Sequence, residues 1–286
     1  MTSSAVRHRP FANFSDLAPE AIHAHKHWLM RAHNFEVEWV ELAPGSTGAQ
    51  YESIFESLLI AEGGAVEVVT QTEHGKTCQA TIPDHAVGLL PAGRHQLRSM
   101  APARAALITS QRSDIQGRRV INAEGCDPRD PRVLPTGKPY RRTHSIEGIQ
   151  VLPLDMIKAS PDKPRLKMLQ TETLSLNLVE YNGPRNRAEL SPHSHANFEQ
   201  GSLALAGEFV HHLRVPWGGD ANLWREDEHL SAGSPSLLVI PVELVHTTEG
   251  VGEGRHYLID VFSPPRKDFI SKGWVFNSAD YEETKG

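Results

Sequence analysis

Residues 57–69 read SLLIAEGGAVEVV, and residues 201–213 read GSLALAGEFVHHL. Each stretch contains an apolar run, a glycine that marks a turn and a second strand-like run, which is the pattern of two consecutive β-strands. Further along each half, VGLLP at 87–91 corresponds to LLVIP at 237–241, where a strand ends in proline. We therefore predict that one β-unit is present twice in this chain.

The turn residues give the offset in residue number between the two copies. Gly63 and Gly207 lie 144 positions apart, and Pro91 and Pro241 lie 150 positions apart, so the offset is nearly constant. Other strand-like runs are FEVEWVEL, QATI and AALITS in the first half, and LKMLQ, TLSLNLVEY and HYLIDVF in the second. Because no long helix separates the strands, βαβ units are excluded and an antiparallel sandwich or barrel is favoured.

The chain divides into five segments on this basis. Two β-domains are predicted at 35–111 and 165–265, separated by a connector at 112–164 that is rich in Pro, Gly, Asp and Arg. An N-terminal extension covers 1–34, and a C-terminal tail covers 266–286. The predicted fold is thus all-β, in two barrels, with one short helix in the N-terminal extension.

That helix is predicted over residues 15–33. Ser15 or Asp16 can cap it, and Pro19 suits a first turn. Spacing typical of one helical face is shown by Ile22, His25, Leu29 and Ala32. His23 and His27 also have a helical metal-site spacing, but no glutamate completes a metalloprotease pattern, so we expect solvated or partly packed histidines there.

Bulk composition mainly excludes functions. The 286 residues carry a formal net charge of −6, which argues against a nucleic-acid partner because such proteins usually present a basic face. The two cysteines lie far apart and outside any CxxC motif, which indicates a reduced setting. The N-terminus has no apolar signal region, and no run approaches the length of a membrane span. We expect a cytoplasmic protein without a membrane partner.

Candidate metal ligands concentrate in the second β-domain, in the stretch SPHSHANFEQG. His193 and His195 are two residues apart, so on a strand both imidazoles project from one face. An oxygen donor follows, either Glu199 or Gln200, and His246 comes just after LLVIP. Three imidazoles and one carboxylate or amide oxygen suit one divalent transition metal, Mn, Fe, Co, Ni, Cu or Zn, without choosing among them.

These ligands and their spacing resemble the two motifs of the cupin superfamily. The pattern is His193-x-His195-x4-Gln200-x6-Gly207, followed by Pro241-x4-His246. The resemblance implies a double-stranded β-helix, or jelly roll, in each half and a metal in the second half. It also implies association into a homodimer. The interval to Gly207 favours Gln200 over Glu199 as the oxygen ligand.

Some positions depart from the family pattern. In the second half, Glu243 and Pro235 stand where glycine is usual, and Gly250 stands where asparagine often follows the last histidine. The first two are turn positions, so they concern loop geometry more than metal binding.

The first half keeps the outline of the family without its ligands. Glu56 is spaced like the oxygen ligand, but Ala49 and Tyr51 stand where the two histidines belong. Gln96, with His95 one position away, falls in register with the last histidine. One Glu and one Gln without an imidazole in register make a poor metal site, so a structural or degenerate barrel is expected there.

The stretch LIDVFSPPRKDF at 258–269 resembles the end of small cupins of the pectin-degradation (KdgF-like) type, which convert unsaturated uronates to open-chain keto sugars. This resemblance implies a metal-dependent enzyme that isomerises, ring-opens or eliminates a small sugar acid through a metal-stabilised enediolate. If Glu199 is not a ligand, it is the candidate base. Of His211 and His212, which are adjacent on a strand, only one can face a barrel interior and line a pocket.

Two alternatives stay open. With Fe, Mn, Ni or Cu, the same ligands suit a dioxygenase that cleaves an enol, diketone or phenolic substrate. A bicupin that binds a small molecule without catalysis is the second alternative, because a degenerate first half fits either role.

Overall fold

The computed structural model of the chain describes residues 6–46, 48–112, 114–126, 129–144 and 148–284. Strands dominate the described residues, and helical segments are short. The strands of the first part of the chain are β1 (Phe11–Asn13), β2 (Glu20–Ile22), β3 (His25–Arg31), β4 (Glu36–Leu42), β5 (Ala49–Ser53), β6 (Ser57–Glu62), β7 (Val66–Thr72), β8 (Thr77–Ile82), β9 (Ala86–Leu90), β10 (Gly93–Arg98) and β11 (Ala103–Thr109).

The second part of the chain continues this series. Its strands are β12 (Tyr140–Arg142), β13 (Gln150–Pro153), β14 (Leu166–Gln170), β15 (Ser175–Asn182), β16 (Gln200–Ala206), β17 (Glu208–Arg214), β18 (Glu228–Ala232), β19 (Ser236–Ile240), β20 (Val245–Val251), β21 (Arg255–Phe262) and β22 (Tyr281–Glu283). The α-helices are α1 (Ala123–Cys126) and α2 (Lys267–Ser271), and 3-10 turns lie at Phe14–Asp16, Arg187–Glu189, Ala221–Leu223 and Ser278–Asp280.

Two barrels follow from the strand order. The first combines a sheet in the order β13-β9-β6-β11-β4-β3-β2 with a sheet in the order β5-β10-β7-β8. The second combines β1-β19-β16-β21-β15-β14 with β18-β17-β20. The order β9-β6-β11-β4-β3 recurs as β19-β16-β21-β15-β14, and neighbouring strands in these sheets are antiparallel. The predicted all-β fold of two jelly-roll barrels is confirmed.

The apolar runs that predicted the fold are buried on both faces of their sheet. In β6, Leu58 and Ile60 belong to one core cluster, whereas Leu59 and Ala61 belong to another. The first cluster also contains Leu203 and Ile259 of the second barrel, so it lies between the two large sheets. A strand buried on both faces is continuously apolar instead of alternating, which explains SLLIA.

Gly64 and Gly207 mark the same place in the two barrels. Each has a positive φ, 159° and 90° respectively. A Cβ on Gly64 would lie 2.6 Å from the carbonyl oxygen of Pro102, and one on Gly207 would lie 2.7 Å from that of Arg255. Glycine is required at both positions because the neighbouring backbone leaves no room for a side chain. The sequence alignment of the two halves used Gly63, which lies one residue before the structural counterpart of Gly207.

The predicted helix over residues 15–33 is wrong. A single 3-10 turn at Phe14–Asp16 is followed by β2 and β3, and β3 pairs along its length with β4. Trp28, Leu29 and Met30 are consecutive and buried, which an amphipathic helix would not allow. Pairing with β4 and burial override the helical spacing of the apolar residues, and β3 is the counterpart of β14 in the second barrel.

Short strands from outside the two predicted domains pair with the sheets of both barrels. β1, near the N-terminus, pairs with β19 of the second barrel, and β13 from the predicted connector pairs with β9 of the first. Each short strand satisfies backbone groups that an edge strand would otherwise expose. The residue bounds of the two domains stay predictions. Among the described residues, no helix is long and apolar enough to cross a membrane.

Candidate metal centre

Three histidines converge inside the second barrel. His193 lies before β16 and forms an isolated antiparallel bridge with His246, which is the second residue of β20. His195 follows two residues later on the same face, and its ring lies 5.2 Å from that of His246. The candidate ligand atoms of the three side chains all lie within 4.8 Å of one another. The strand spacing predicted from sequence therefore brings these side chains together.

Gln200, the first residue of β16, completes the cluster. Its Oε1 lies 3.0 Å from Nε2 of His195 and 3.2 Å from Nε2 of His246. The amide nitrogen donates to Oδ1 of Asp260 at 2.9 Å. A carboxylate only accepts, so this hydrogen bond fixes which end of the amide faces the histidines. The geometry places Gln200 where an oxygen ligand would be.

The tautomers of two histidines leave their inner nitrogens free to bind a metal. Nδ1 of His193 donates to the carbonyl of Ser191 at 2.9 Å, and Nδ1 of His246 donates to that of Leu244 at 2.9 Å. Each Nε2 then carries a lone pair. Burial lowers the pKa of His246 to about 4 and that of His195 to about 3, so both rings are neutral at neutral pH.

This arrangement fits a cation. Nε2 of His246 and Oε1 of Gln200 are both acceptors, yet they lie 3.2 Å apart. Two facing lone pairs repel unless a positive charge lies between or beside them. Neutral imidazoles and an amide oxygen are ligands that several divalent transition metals accept, so the donor set leaves the identity of the metal open.

Asp260 forms a second layer behind the cluster. Besides Gln200, its carboxylate accepts from Ser202 Oγ at 3.2 Å and from Asn177 Nδ2 at 3.1 Å. Burial raises the pKa of Asp260, and these hydrogen bonds oppose that shift. The side chain also lines the cavity, so it both orients Gln200 and faces a bound molecule.

The cluster lies in a cavity of about 510 Å³, which is large enough for a small organic molecule. Four cationic side chains line this cavity: Lys163, Arg165, Arg185 and Arg266. Its acidic lining residues are Asp162 and Asp260. With both carboxylates ionised, the lining therefore carries a net charge of about +2, which favours an anionic ligand.

Arg266 stands near the metal ligands and is held by aromatic rings. Its guanidinium lies 4.7 Å from the ring of Phe198, 5.0 Å from that of Phe262 and 4.0 Å from that of Phe269. Two hydrogen bonds to Asp268 fix its plane. Phe198 in turn stacks on His195, with ring centroids 4.5 Å apart. These contacts give this wall of the cavity a fixed cation next to the metal ligands.

Glu199 lies outside this cluster, and its role as a base stays a prediction. Its carboxylate accepts from the backbone nitrogen of His33 at 2.6 Å and lies 2.7 Å from Nδ1 of the same residue. Side chains alternate along a strand, so Glu199 faces away from the barrel interior that Gln200 enters. It joins the two barrels instead.

Sequence reasoning missed Asp260 and Arg266, although both lie in the quoted stretch LIDVFSPPRKDF. The usable signal was the alternation of Leu258, Asp260 and Phe262 on β21, which places all three on the cavity face. Of the two adjacent histidines, His211 is the inward one: it is buried and bonds Thr248 at 2.9 Å. It is not among the residues that line the cavity.

Strand pairing shows what replaces the ligands in the first barrel. Ser57 pairs with Leu90 before Pro91, just as Gln200 pairs with Ile240 before Pro241. His95 pairs with Tyr51, as His246 pairs with His193. The replacements are thus Tyr51 for His193, Ser53 for His195, Ser57 for Gln200 and His95 for His246. The predicted positions Ala49, Glu56 and Gln96 are each out of register. Glu56 was counted from Gly63 instead of Gly64, and the intervals from Ser53 to Ser57 and from Pro91 to His95 are each one residue shorter than their counterparts in the second barrel.

The fold and the cluster together define a two-barrel cupin fold with a candidate metal centre in its second barrel. No protein-family model and no curated protein sequence matches the chain.

Solved structures of oxalate decarboxylases match it over most of their length. One, from a study of a reaction specificity switch, has a TM-score of 0.63 and 12% identity over 92% of this chain and 79% of that one. The enzyme from Lactobacillus farciminis with formate has a TM-score of 0.60 and 13% identity, covering 95% and 91%. The enzyme from Bacillus subtilis, with Mn(II) centres, has a TM-score of 0.61 and 12% identity, covering 99% and 90%. At such identities the likeness shows the fold.

Proposed function

We propose that this protein is a metal-dependent enzyme that isomerises, ring-opens or eliminates a small sugar acid of the uronate type. One observation carries the proposal. His193, His195, Gln200 and His246 point into a cavity whose remaining charged lining is mostly cationic, and a carboxylate, Asp260, stands beside these four residues. The KdgF-like sequence of β21 and the segment after it supports the choice of a sugar acid.

The chain's own residues suit this chemistry. A bound divalent metal would act as a Lewis acid that polarises a carbonyl or hydroxyl oxygen of the substrate. Arg266 offers the carboxylate of a uronate a cation whose position is fixed by three aromatic rings. Asp260 lines the cavity next to Gln200 and is the candidate group for moving a proton at the substrate. Phe262 is buried and lines the same cavity.

A turnover assay on an unsaturated galacturonate tests the proposal. The ultraviolet absorbance of the conjugated double bond should decay with the metal-loaded protein and persist with the Asp260→Asn variant. An unchanged absorbance with wild-type protein that holds near one metal ion per chain would contradict the proposal. Oxygen uptake with diketone or phenolic compounds would instead favour the dioxygenase alternative, and tight binding without turnover would favour a non-catalytic protein.

Decarboxylation of a small dicarboxylate is a second candidate, because a cationic cavity also suits such a dianion and the solved structures compared above are oxalate decarboxylases. Release of carbon dioxide from oxalate by the manganese-loaded protein tests it. A cytoplasmic location and a homodimer stay predictions, as does the absence of nucleic-acid and membrane partners.

A further inference from the structure

We propose that Arg165 and Arg185 form a second anion subsite at the end of the cavity remote from the metal ligands, so that the substrate carries two acidic groups. Both side chains line the same cavity as the metal ligands. The inference rests on the proposed function, since it assumes that one acidic group of a sugar acid lies near Arg266.

The fold separates the two cationic ends. Asn177, which bonds Asp260, and Tyr181 face the cavity four residues apart on β15, which is roughly 13 Å along a strand. Arg185 follows Tyr181, and its backbone nitrogen donates to the carbonyl of Gly250 at 2.9 Å. Gly250 is itself four residues beyond His246 on β20. Both strands therefore place Arg185 well away from the metal ligands, and the side chain spans part of that distance.

Neither arginine has an acidic partner among the described residues. Arg165 is exposed at the cavity rim and makes no hydrogen bond or ion pair to them. Arg185 donates one long bond, 3.4 Å, to the carbonyl of Glu189, and its buried Nε has no partner in the part of the chain that the structure describes. A buried guanidinium nitrogen without an acceptor is unfavourable, so a ligand oxygen there would complete the arrangement.

The phenol of Tyr181 experiences the charge of both arginines. Tyr181, Arg165 and Arg185 all line this cavity. Burial raises the pKa of Tyr181, and the charges of Arg185 and Arg165 oppose that shift. The hydroxyl stays protonated at neutral pH and provides a third donor. Two guanidinium groups and a hydroxyl recognise a carboxylate or a phosphate, and this chemistry is shared by a dicarboxylic and a phosphorylated sugar acid.

Three six-carbon acids test the subsite on zinc-loaded protein by isothermal titration. Gluconate, glucarate and 6-phosphogluconate share a carboxylate at one end and differ at the other, which carries a hydroxyl, a carboxylate or a phosphate. We expect glucarate or 6-phosphogluconate to bind about tenfold more tightly than gluconate, and the better of the two identifies the second group. Equal affinity for all three, or no binding of any, would overturn the proposal.

Substitutions of the two arginines test whether they cause the tighter binding of the doubly acidic ligand. Arg185→Gln and Arg165→Gln should each reduce the preference for the doubly acidic ligand, while gluconate affinity stays unchanged. Arg187→Gln is the matched control: this arginine is in the same segment, 78% exposed, and pairs with Glu249 outside the cavity. A preference that survives both arginine variants overturns the subsite. If the uronate assay shows no turnover but the doubly acidic ligand still binds more tightly than gluconate, the proposed function is refuted and the anion subsite is not.

Discussion

The two barrels share a strand order but differ in what occupies their interior. In the second barrel, Asn177, Asp260 and Ser202 are neighbours across the sheet, and they hold Gln200 beside three histidines. The same three places in the first barrel are Glu38, Leu107 and Leu59. Glu38 there binds Arg112, whose side chain is 1% exposed and lies over the ring of Tyr51.

This difference shows how the interior of a barrel without the histidine cluster is filled. A buried guanidinium supplies positive charge in this interior, and the carboxylates of Glu38 and Asp114 neutralise it. Glu38 also contacts Arg118 at 2.6 Å and His27 at 2.7 Å. Burial raises the pKa of Glu38, but Arg112, His27 and Arg118 together outweigh it and hold that pKa well below its usual range. The prediction that His27 is solvated or only partly packed is therefore wrong.

The largest effect is expected from removing a metal ligand. His246→Ala and His193→Ala should each abolish stoichiometric metal binding, because three imidazoles and one amide oxygen leave no spare ligand. Metal analysis of the purified proteins measures this. His229→Ala is the control, since His229 is exposed on β18 of the same barrel. Metal content unchanged in both ligand variants would show that the cluster is not the metal site.

Asp260→Asn is expected to reduce turnover by about 100-fold or more, because it removes the candidate proton-transfer group and leaves one acceptor oxygen in place of the two that now hold Gln200, Ser202 and Asn177. Metal affinity measured with a competing chelator separates the two roles. If affinity falls by about 10–100-fold, orientation of Gln200 dominates. Unchanged turnover would remove Asp260 from the reaction.

In the first barrel, a substitution of the buried arginine is expected to change stability and not turnover. Arg112→Met leaves Glu38 buried with less compensation, and we expect a loss of about 3–5 kcal/mol in the free energy of unfolding. Arg94→Met is the control: Arg94 is 73% exposed, its contact with Glu52 is 3.5 Å, and the change should be about 0–1 kcal/mol. Denaturant titration of both variants measures the difference. Equal losses would show that the Glu38–Arg112 pair is not what holds this barrel interior.

The pH dependence of stability should identify the same pair. The folded-state pKa of Glu38 is depressed, so its contribution is present above the pKa of an unfolded glutamate and is lost as the pH falls through the lower folded-state value. Glu38→Gln should therefore lower stability at neutral pH and flatten its decline in acid. Parallel curves for wild type and variant would contradict this.

How far the sequence predicted the molecule depended on the range of the interactions involved. Local spacing sufficed for His193 and His195, whereas His246 was predicted from the Pro241-x4-His246 pattern that resembles the second cupin motif. Gln200 was distinguished from Glu199 only by counting to Gly207. Asp260 and Glu38 bond residues of other segments, and β3 pairs with β4. The register between strands decides these contacts, and that register cannot be obtained by counting residues along the chain. The mistaken helix over 15–33 has the same cause, since pairing with β4 decides it.

The smallest effect is expected at Glu199, which sequence spacing had placed beside the metal. Its carboxylate bonds His33 of the first barrel, so Glu199→Gln keeps an acceptor for the backbone nitrogen and loses the charge and the second acceptor oxygen, which faces Nδ1. We expect turnover and metal content to match the wild type and stability to fall by about 1–2 kcal/mol, since a hydrogen bond to a charged group becomes a neutral one. Steady-state kinetics and denaturant titration measure the two quantities. A large loss of kcat with metal retained would return Glu199 to the active site and would mean that its carboxylate turns toward the metal when substrate binds.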